Sequence, residues 1–381
     1  MIHLAKEDIK HSLGKFISTA MGVGMLLGIV LIMMGVYRGM IVDANSLLKD
    51  VNADLWVVQE KTLGPFAEGS RINEDLKITI RNNQAIEKSE AITFQNIQLP
   101  NKIKPIRVLA VGYDPYGEIS PINSNKLIDG RALNNNYYEI VVTDKTGFKV
   151  GNEFKLGRNI YNVVGVTTGT VSSGGEALVF ISLKNAQELQ FSYSNKRIQS
   201  DRARGINAKP LHMANAIIAT IKPGYNPDEV ANELSKWKHK SVYTKQAQYD
   251  ILTKNVVETA AKQIGLFTMI LILVSVVIIG LIIFTMTLEK MKEISIMKLL
   301  GIPNYSIIRM IVEETLILSV FAFIFGNAFA HFIYDKFPKR VVLELPDAFI
   351  LLIVVIIASV FASMVGVKQV IQADPARAIG G

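Results

Sequence analysis

The side chains that could do acid–base or metal chemistry are few and scattered. The five histidines stand at 3, 11, 212, 239 and 331, and the chain has no cysteine. Thiol chemistry and Cys-ligated metal are therefore excluded. No G-x-x-x-x-G-K-[ST], H-E-x-x-H or G-x-S-x-G occurs, and Ser172, Ser173, Gly174 and Gly175 make a flexible turn rather than a phosphate cradle. The chain reads as no enzyme by itself, with no cofactor of its own. Residues 289–310, EKMKEISIMKLLGIPNYSIIRM, are different: charged, helix-prone and broken by Gly301 and Pro303. Placed at 100° steps, Met291, Ile294, Ile296, Met297, Leu299 and Leu300 fall all around the axis, with Lys290, Lys292, Glu293 and Lys298 interleaved. A helix lying on lipid would have one apolar face. Apolar groups on several sides predict a helix sandwiched between its own bundle and a partner. Gly301 can end it and Pro303 can start the next, which predicts a stiff bend over 289–304.

The elements on either side of this bend are apolar. Half of the 381 residues are hydrophobic. Four runs carry no Asp, Glu, Lys or Arg: 16–37, 263–288, 315–334 and 348–367. Each is about 20 residues or longer, enough to cross roughly 30 Å of hydrocarbon as a helix. The first is too long for a signal h-region and no A-x-A-like site follows it, so it reads as a span. A transporter or pump that moves an ion through its helices needs polar groups within its spans; the only titratable one here is His331, near the end of span three, and it reads as a packing or interfacial residue. The spans read as rods rather than as a substrate path.

Four spans place both termini on one side and residues 38–262 on the other. The Lys/Arg bias of the short loops favours cytoplasmic termini only weakly. Gly24, Gly28, Gly35 and Gly39 fall along one face of span one, at spacings that let two helix backbones approach closely. Close helix packing is the first reading of that face and a homodimer seam the second. Residues 1–15 form an amphipathic segment suited to the membrane interface, with Ile2, Ala5, Ile9 and Leu13 on one side beside Lys6 and Lys10.

The fold class is an α-helical membrane protein with a large extracytoplasmic α+β domain. A β-α-β layer is expected from 41–112 and 211–246. Within it, Asn73–Ser89 reads as helical, and Asn226 and Pro227 read as the start of another helix. Short β runs separated by Gly, Asn and Asp predict an inserted antiparallel barrel or sandwich over 113–210. The formal net charge of +8 is spread out. Its densest cluster, within 195–209, reads as a solvated loop, and nothing suggests nucleic acid.

Several stretches together resemble a known family. LIDGRAL (127–133) precedes EIVVTDKTGFKVGNEFKLGRNIYNVVGV (139–166); EKMKEISIMKLLGIP (289–303) follows span two; VEETLIL (312–318) opens span three; ADPARAI (373–379) lies near the C-terminus. In this order they resemble the permease subunit of MacB/FtsX-type ABC transporters, which also include the lipoprotein-releasing permeases. Ser295 stands where the family has Gly or Ala, and Leu299-Leu300 where it has Ala-Leu.

The resemblance implies a porter-like layer plus the inserted β module outside the membrane, and an FtsX-like permease domain over 263–381. It places Glu314 at the motif carboxylate of span three and makes 289–304 a coupling helix. It implies a pair of permease chains, identical or not, working with a dimer of cytosolic ATPase subunits that bind the ATP. A periplasmic adaptor and an outer-membrane channel are further partners in such systems. It also implies a bacterial inner membrane among whose lipids the protein sits, with the large domain periplasmic. The expected function is mechanotransmission for efflux or extraction of a lipid, lipoprotein, peptide or drug. The alternative is a cell-division-type regulator of a cell-wall hydrolase that transports nothing. A sensor without an ATPase is disfavoured by the 289–303 bend.

Overall fold

The computed structural model describes residues 9–372 apart from 11, 65, 67–68, 102–103, 136, 158, 194–203, 205–211 and 238. Most of the amphipathic segment 1–15, nearly all of the basic stretch 195–209 and the whole of 373–379 lie outside the described residues. The chain divides into two compact units, Met1–Gly39 with Ala260–Gly381, and Met40–Thr259.

The first unit is helical. Its helices are α1 (Leu13–Ala44), α2 (Glu258–Glu289), α3 (Met291–Leu299), α4 (Asn304–Ile333) and α5 (Leu345–Gln372). Four stretches are long and apolar enough to cross a membrane: Leu13–Val51, Ala260–Glu289, Asn304–Lys336 and Leu345–Met364. The first three contain and outrun the charge-free runs read from the sequence, because Lys and Glu carry a helix past the hydrocarbon as readily as Leu does. Two prolines stand where helices begin. Pro303 precedes α4 in extended conformation, φ −67° and ψ 144°, and Pro346 sits in the first turn of α5.

The second unit is built on a sheet of β1 (Leu55–Gln59), β3 (Ile86–Leu99), β4 (Ile106–Tyr113), β5 (Leu127–Gly130), β6 (Glu139–Thr143), β7 (Glu153–Leu156), β8 (Asn159–Thr167), β9 (Ala177–Ser182), β11 (Ala216–Ile221) and β12 (Lys240–Thr244). A small ladder joins β2 (Ile72–Asn73) to β10 (Met213–Ala214). The main order is β12-β1-β11-β3-β4-β9-β6-β8-β5, with β7 on β8. Strand β3 has 14 residues and changes partner at its middle. Ile86–Ile92 pair with β11, and Thr93–Leu99 pair with β4.

Period-two alternation then distributes the side chains over three cores. Leu55, Val57, Ile217 and Ala219 face one core beneath the helix Pro227–Ser235. Ile97, Leu99, Val108, Val142, Val179 and Ile181 face a second. Trp56, Ile92, Val111, Val141, Phe180 and Ile218 face a third, common to both halves of the sheet.

The expected layer (41–112 and 211–246) and the expected inserted module (113–210) share one continuous sheet. The described residues of 113–210 do not make a separate antiparallel barrel or sandwich. Strand β9 pairs parallel with β4, and β6 parallel with β8, so the layer's sheet simply continues. The helix expected over Asn73–Ser89 shrinks to Leu76–Arg81, because Ile86 already pairs in β3. Asn226 caps the Pro227 helix as read, its side chain accepting from the Asp228 amide. The helix Leu183–Tyr193 had one missed start signal: the Ser182 hydroxyl accepts from the Asn185 amide at 3.3 Å.

The two longest motifs meet in the second unit. Arg131 of LIDGRAL forks onto Glu139, which opens the next motif, at 2.6 and 3.0 Å. The guanidinium's hydrogen bonds hold the Glu139 carboxyl below the usual carboxylate range, helped by the Asn134 and Asn135 amides against the opposing effect of burial.

Candidate functional site

The 289–303 bend is two helices joined by a stiff corner. Lys290 is the single residue between α2 and α3, at φ −87° and ψ 2°. The far end of α3 is closed by a Schellman motif. The Gly301 amide donates to Lys298 O and the Ile302 amide to Met297 O, both at 3.0 Å. Gly301 has φ +81°, and a Cβ there would meet nothing within 4 Å. The backbone conformation alone selects glycine. Ile302 and Met297 then pack in one cluster with Ile294, Ile307, Met310 and Ile311, completing the motif's apolar contact.

The expected coupling residues separate into two sets. Ile294 is fully buried against α4, and Met297 and Lys298 are half-buried. Lys292 and Glu293 are exposed, as are Ile296, Leu299 and Leu300 at 51%, 61% and 76%. Gly301 shapes the corner. Lys290, expected on the docking face, turns inward instead. Its Nζ lies 2.5 Å from Glu314 Oε1, with the two side chains only 14% and 10% exposed. A cavity of about 20 Å³ beside the pair is lined by Ile283, Met286, Thr287, Ile311, Thr315 and Leu318. In so apolar a setting each charge needs the other, and Lys290 reaches Glu314 because α2 delivers it alongside α4. The motif carboxylate thus has a structural partner inside the chain.

The glycine face of α1 is occupied within the chain. A Cβ on Gly24 would stand 2.6 Å from Ala322 O, and one on Gly28 2.8 Å from Gly326 O. On Gly35 it would stand 2.6 Å from Val341 Cγ1, and on Gly39 it would run into Arg340 O. All four glycines thus face segments of the same chain, α4 and residues 340–343, where the second expectation had a homodimer seam. A second ion cluster went unread. Arg38 binds Asp347 through both Nε and a terminal nitrogen, and Glu344 at 2.8 Å through the other. Its signal was positional: Arg38 follows the first charge-free run directly, and Asp347 directly precedes the fourth.

Residues 16–237 match the MacB-like periplasmic core domain and residues 265–375 the FtsX-like permease C-terminal domain. The uncharacterized ABC transporter permeases Rv0072 and Rv2563 of Mycobacterium tuberculosis are each 21% identical, over 385 and 382 residues, with 100% of both chains covered. The putative hemin transport system permease protein HrtB of Staphylococcus haemolyticus is 21% identical over 390 residues, covering 100% of this chain and 99% of that one. Among solved structures, the extracellular domain of the ABC-type transporter YknZ aligns with 50% of this chain and 100% of its own, at 9% identity and a TM-score of 0.35. The periplasmic region of MacB from Actinobacillus actinomycetemcomitans aligns with 51% of this chain and 90% of its own, at 11% identity and a TM-score of 0.34. Four long apolar helices, a mixed extracytoplasmic α+β domain and full-length kinship to ABC permeases converge. The chain belongs to the MacB/FtsX-type ABC transporter permeases, an FtsX-like permease with a MacB-like periplasmic core domain and a family without catalytic activity of its own.

Proposed function

We propose that this permease couples ATP hydrolysis by a separate cytosolic ATPase to movement of its extracytoplasmic domain, driving export or extraction of an amphiphilic substrate. In this reading α3 is the docking knob, both termini and α3 are cytoplasmic, residues 40–259 are periplasmic, and a second permease chain completes the transporter. The observation that carries it is the exposed set Ile296, Leu299 and Leu300, on a helix fixed on one side by buried Ile294 and at its end by the Gly301 corner. Exposed leucines next to Lys292 and Glu293 suit an apolar groove with a charged rim. Charge-free helix cores fit rods that pass on movement better than a path for ions. Hemin, the cargo named for the staphylococcal relative, is itself an amphiphile and fits the same substrate class.

Affinity purification of the chain from its host tests the reading. An ATPase with an adaptor supports export. An ATPase with a cell-wall hydrolase moves the assignment to a regulator that carries nothing. Recovery with no ATPase refutes the coupling role.

A further inference from the structure

We propose that Asp50 clips the inserted β module onto the short helix that continues α1, so that this helix and residues 126–182 move as one body. The Ser46–Val51 helix follows α1 after Asn45 and stops at Asn52, in the left-handed conformation at φ 49° and ψ 41°. Its residues divide by face. Leu47, Leu48 and Val51 are 1% exposed and lie in the core shared with Val141, Leu178 and Phe180 of the module. Ser46 and Asp50, four residues apart and so one above the other on the helix, reach the module's polar side.

Asp50 Oδ2 accepts from Lys126 Nζ at 2.7 Å, just before β5, and from the Thr170 hydroxyl in the β8–β9 loop. Lys126 Nζ also reaches Thr170 Oγ1 at 3.2 Å. Ser46 Oγ donates to Gly169 O at 3.3 Å and accepts from the Val171 amide at 3.4 Å. The Asp50 side chain is 5% exposed, so water competes little for it. A carboxylate so buried is held only while its donors stay in place. The interlock joins three segments that are distant in sequence, all at the point where α1 delivers the chain to the sheet. No comparable set of side-chain bonds is needed if the module moves independently of this helix. Asp50 acts as a positioning residue.

The motion itself rests on the coupling reading above; the attachment does not. The cysteine-free chain allows spin labels to be placed singly. Label pairs go at Lys49→Cys with Lys155→Cys, and at Lys292→Cys with Lys155→Cys, all three being exposed positions. Distances are read by pulsed electron resonance on the full chain with its ATPase in nanodiscs, with and without ATP and vanadate. The expected result is a 292–155 distance that shifts with nucleotide and a 49–155 distance that changes by less than about 2 Å, the scale of a side-chain adjustment. Any larger 49–155 shift overturns the one-body proposal. A static 292–155 distance counts against the coupling reading instead, and the clip is then judged without nucleotide. There Asp50→Asn, and the milder Thr170→Val should Asp50→Asn misfold, broaden the 49–155 distribution while Asp50→Glu keeps it narrow. Distributions as narrow as wild type in both disruptive variants overturn the clip.

Discussion

The Lys290–Glu314 pair makes the sharpest residue-scale prediction. Removing one partner of a buried pair strands the other charge, at a cost of roughly 3–5 kcal/mol, while replacing both with apolar groups is often neutral. Glu314→Leu alone should therefore lower the melting temperature in detergent, and Lys290→Met with Glu314→Leu should recover most of the loss. Additive losses in the double variant would show that the two residues act separately. Gly301→Ala should cost about 1 kcal/mol through its positive φ alone, since space for the methyl exists. The sequence showed Glu314 as a motif position and Lys290 as one charge among several. It could not show that they meet, because a contact across 24 residues depends on how α2 and α4 pack.

At the scale of elements, α3 and the α1–α4 seam make separable claims. Burying Leu299 and Leu300 in an ATPase groove would contribute about 3 kcal/mol, so Leu299→Asp with Leu300→Asp should weaken ATPase binding by ~100-fold or more. Binding of the purified ATPase to the permease in nanodiscs measures this, and unchanged affinity would place the interface elsewhere. Membrane insertion should be unaffected, because both residues lie between the second and third apolar stretches and outside all four. In the seam, Gly28→Val puts a side chain against the Gly326 carbonyl, and such overpacking costs about 1–3 kcal/mol. Gly22→Val, with nothing within 4 Å of its Cβ, is the matched control and should lose much less. Glycine spacing alone makes this face legible in the sequence. Its occupant is not legible there, because the same spacing serves a neighbour in the chain or a second copy.

At the scale of the whole molecule, acid stability has a definite sign. Glu139 is held below its ordinary value near 4.5 by Arg131. Its contribution is present above the unfolded-state value and is lost as pH falls through the lower folded value. Thermal melts of the chain should thus fall off below about pH 4.5, and Glu139→Gln should flatten that acid limb. An unchanged slope would mean that other carboxylates dominate. Much of the architecture was readable: the spans from absence of charge, the strands from β-branched runs, the bend from Gly301 and Pro303. The barrel expectation failed because short strands bounded by turns look alike whether they close on themselves or extend a neighbouring sheet. Only pairing such as Val108 with Ala177 distinguishes the two.

Strand β3 is shared lengthwise between the two halves of that sheet, and this makes excision costly. A deletion of 113–210 that looks like removal of a cassette would strip the Thr93–Leu99 half of β4's onward neighbours and open the third core along Trp56 and Ile92. Calorimetry of residues 40–259 within the full chain should accordingly show one cooperative transition rather than two. Relatives that differ in this region can then be expected to vary the loops around β5 to β8 rather than trade the module as a detachable part.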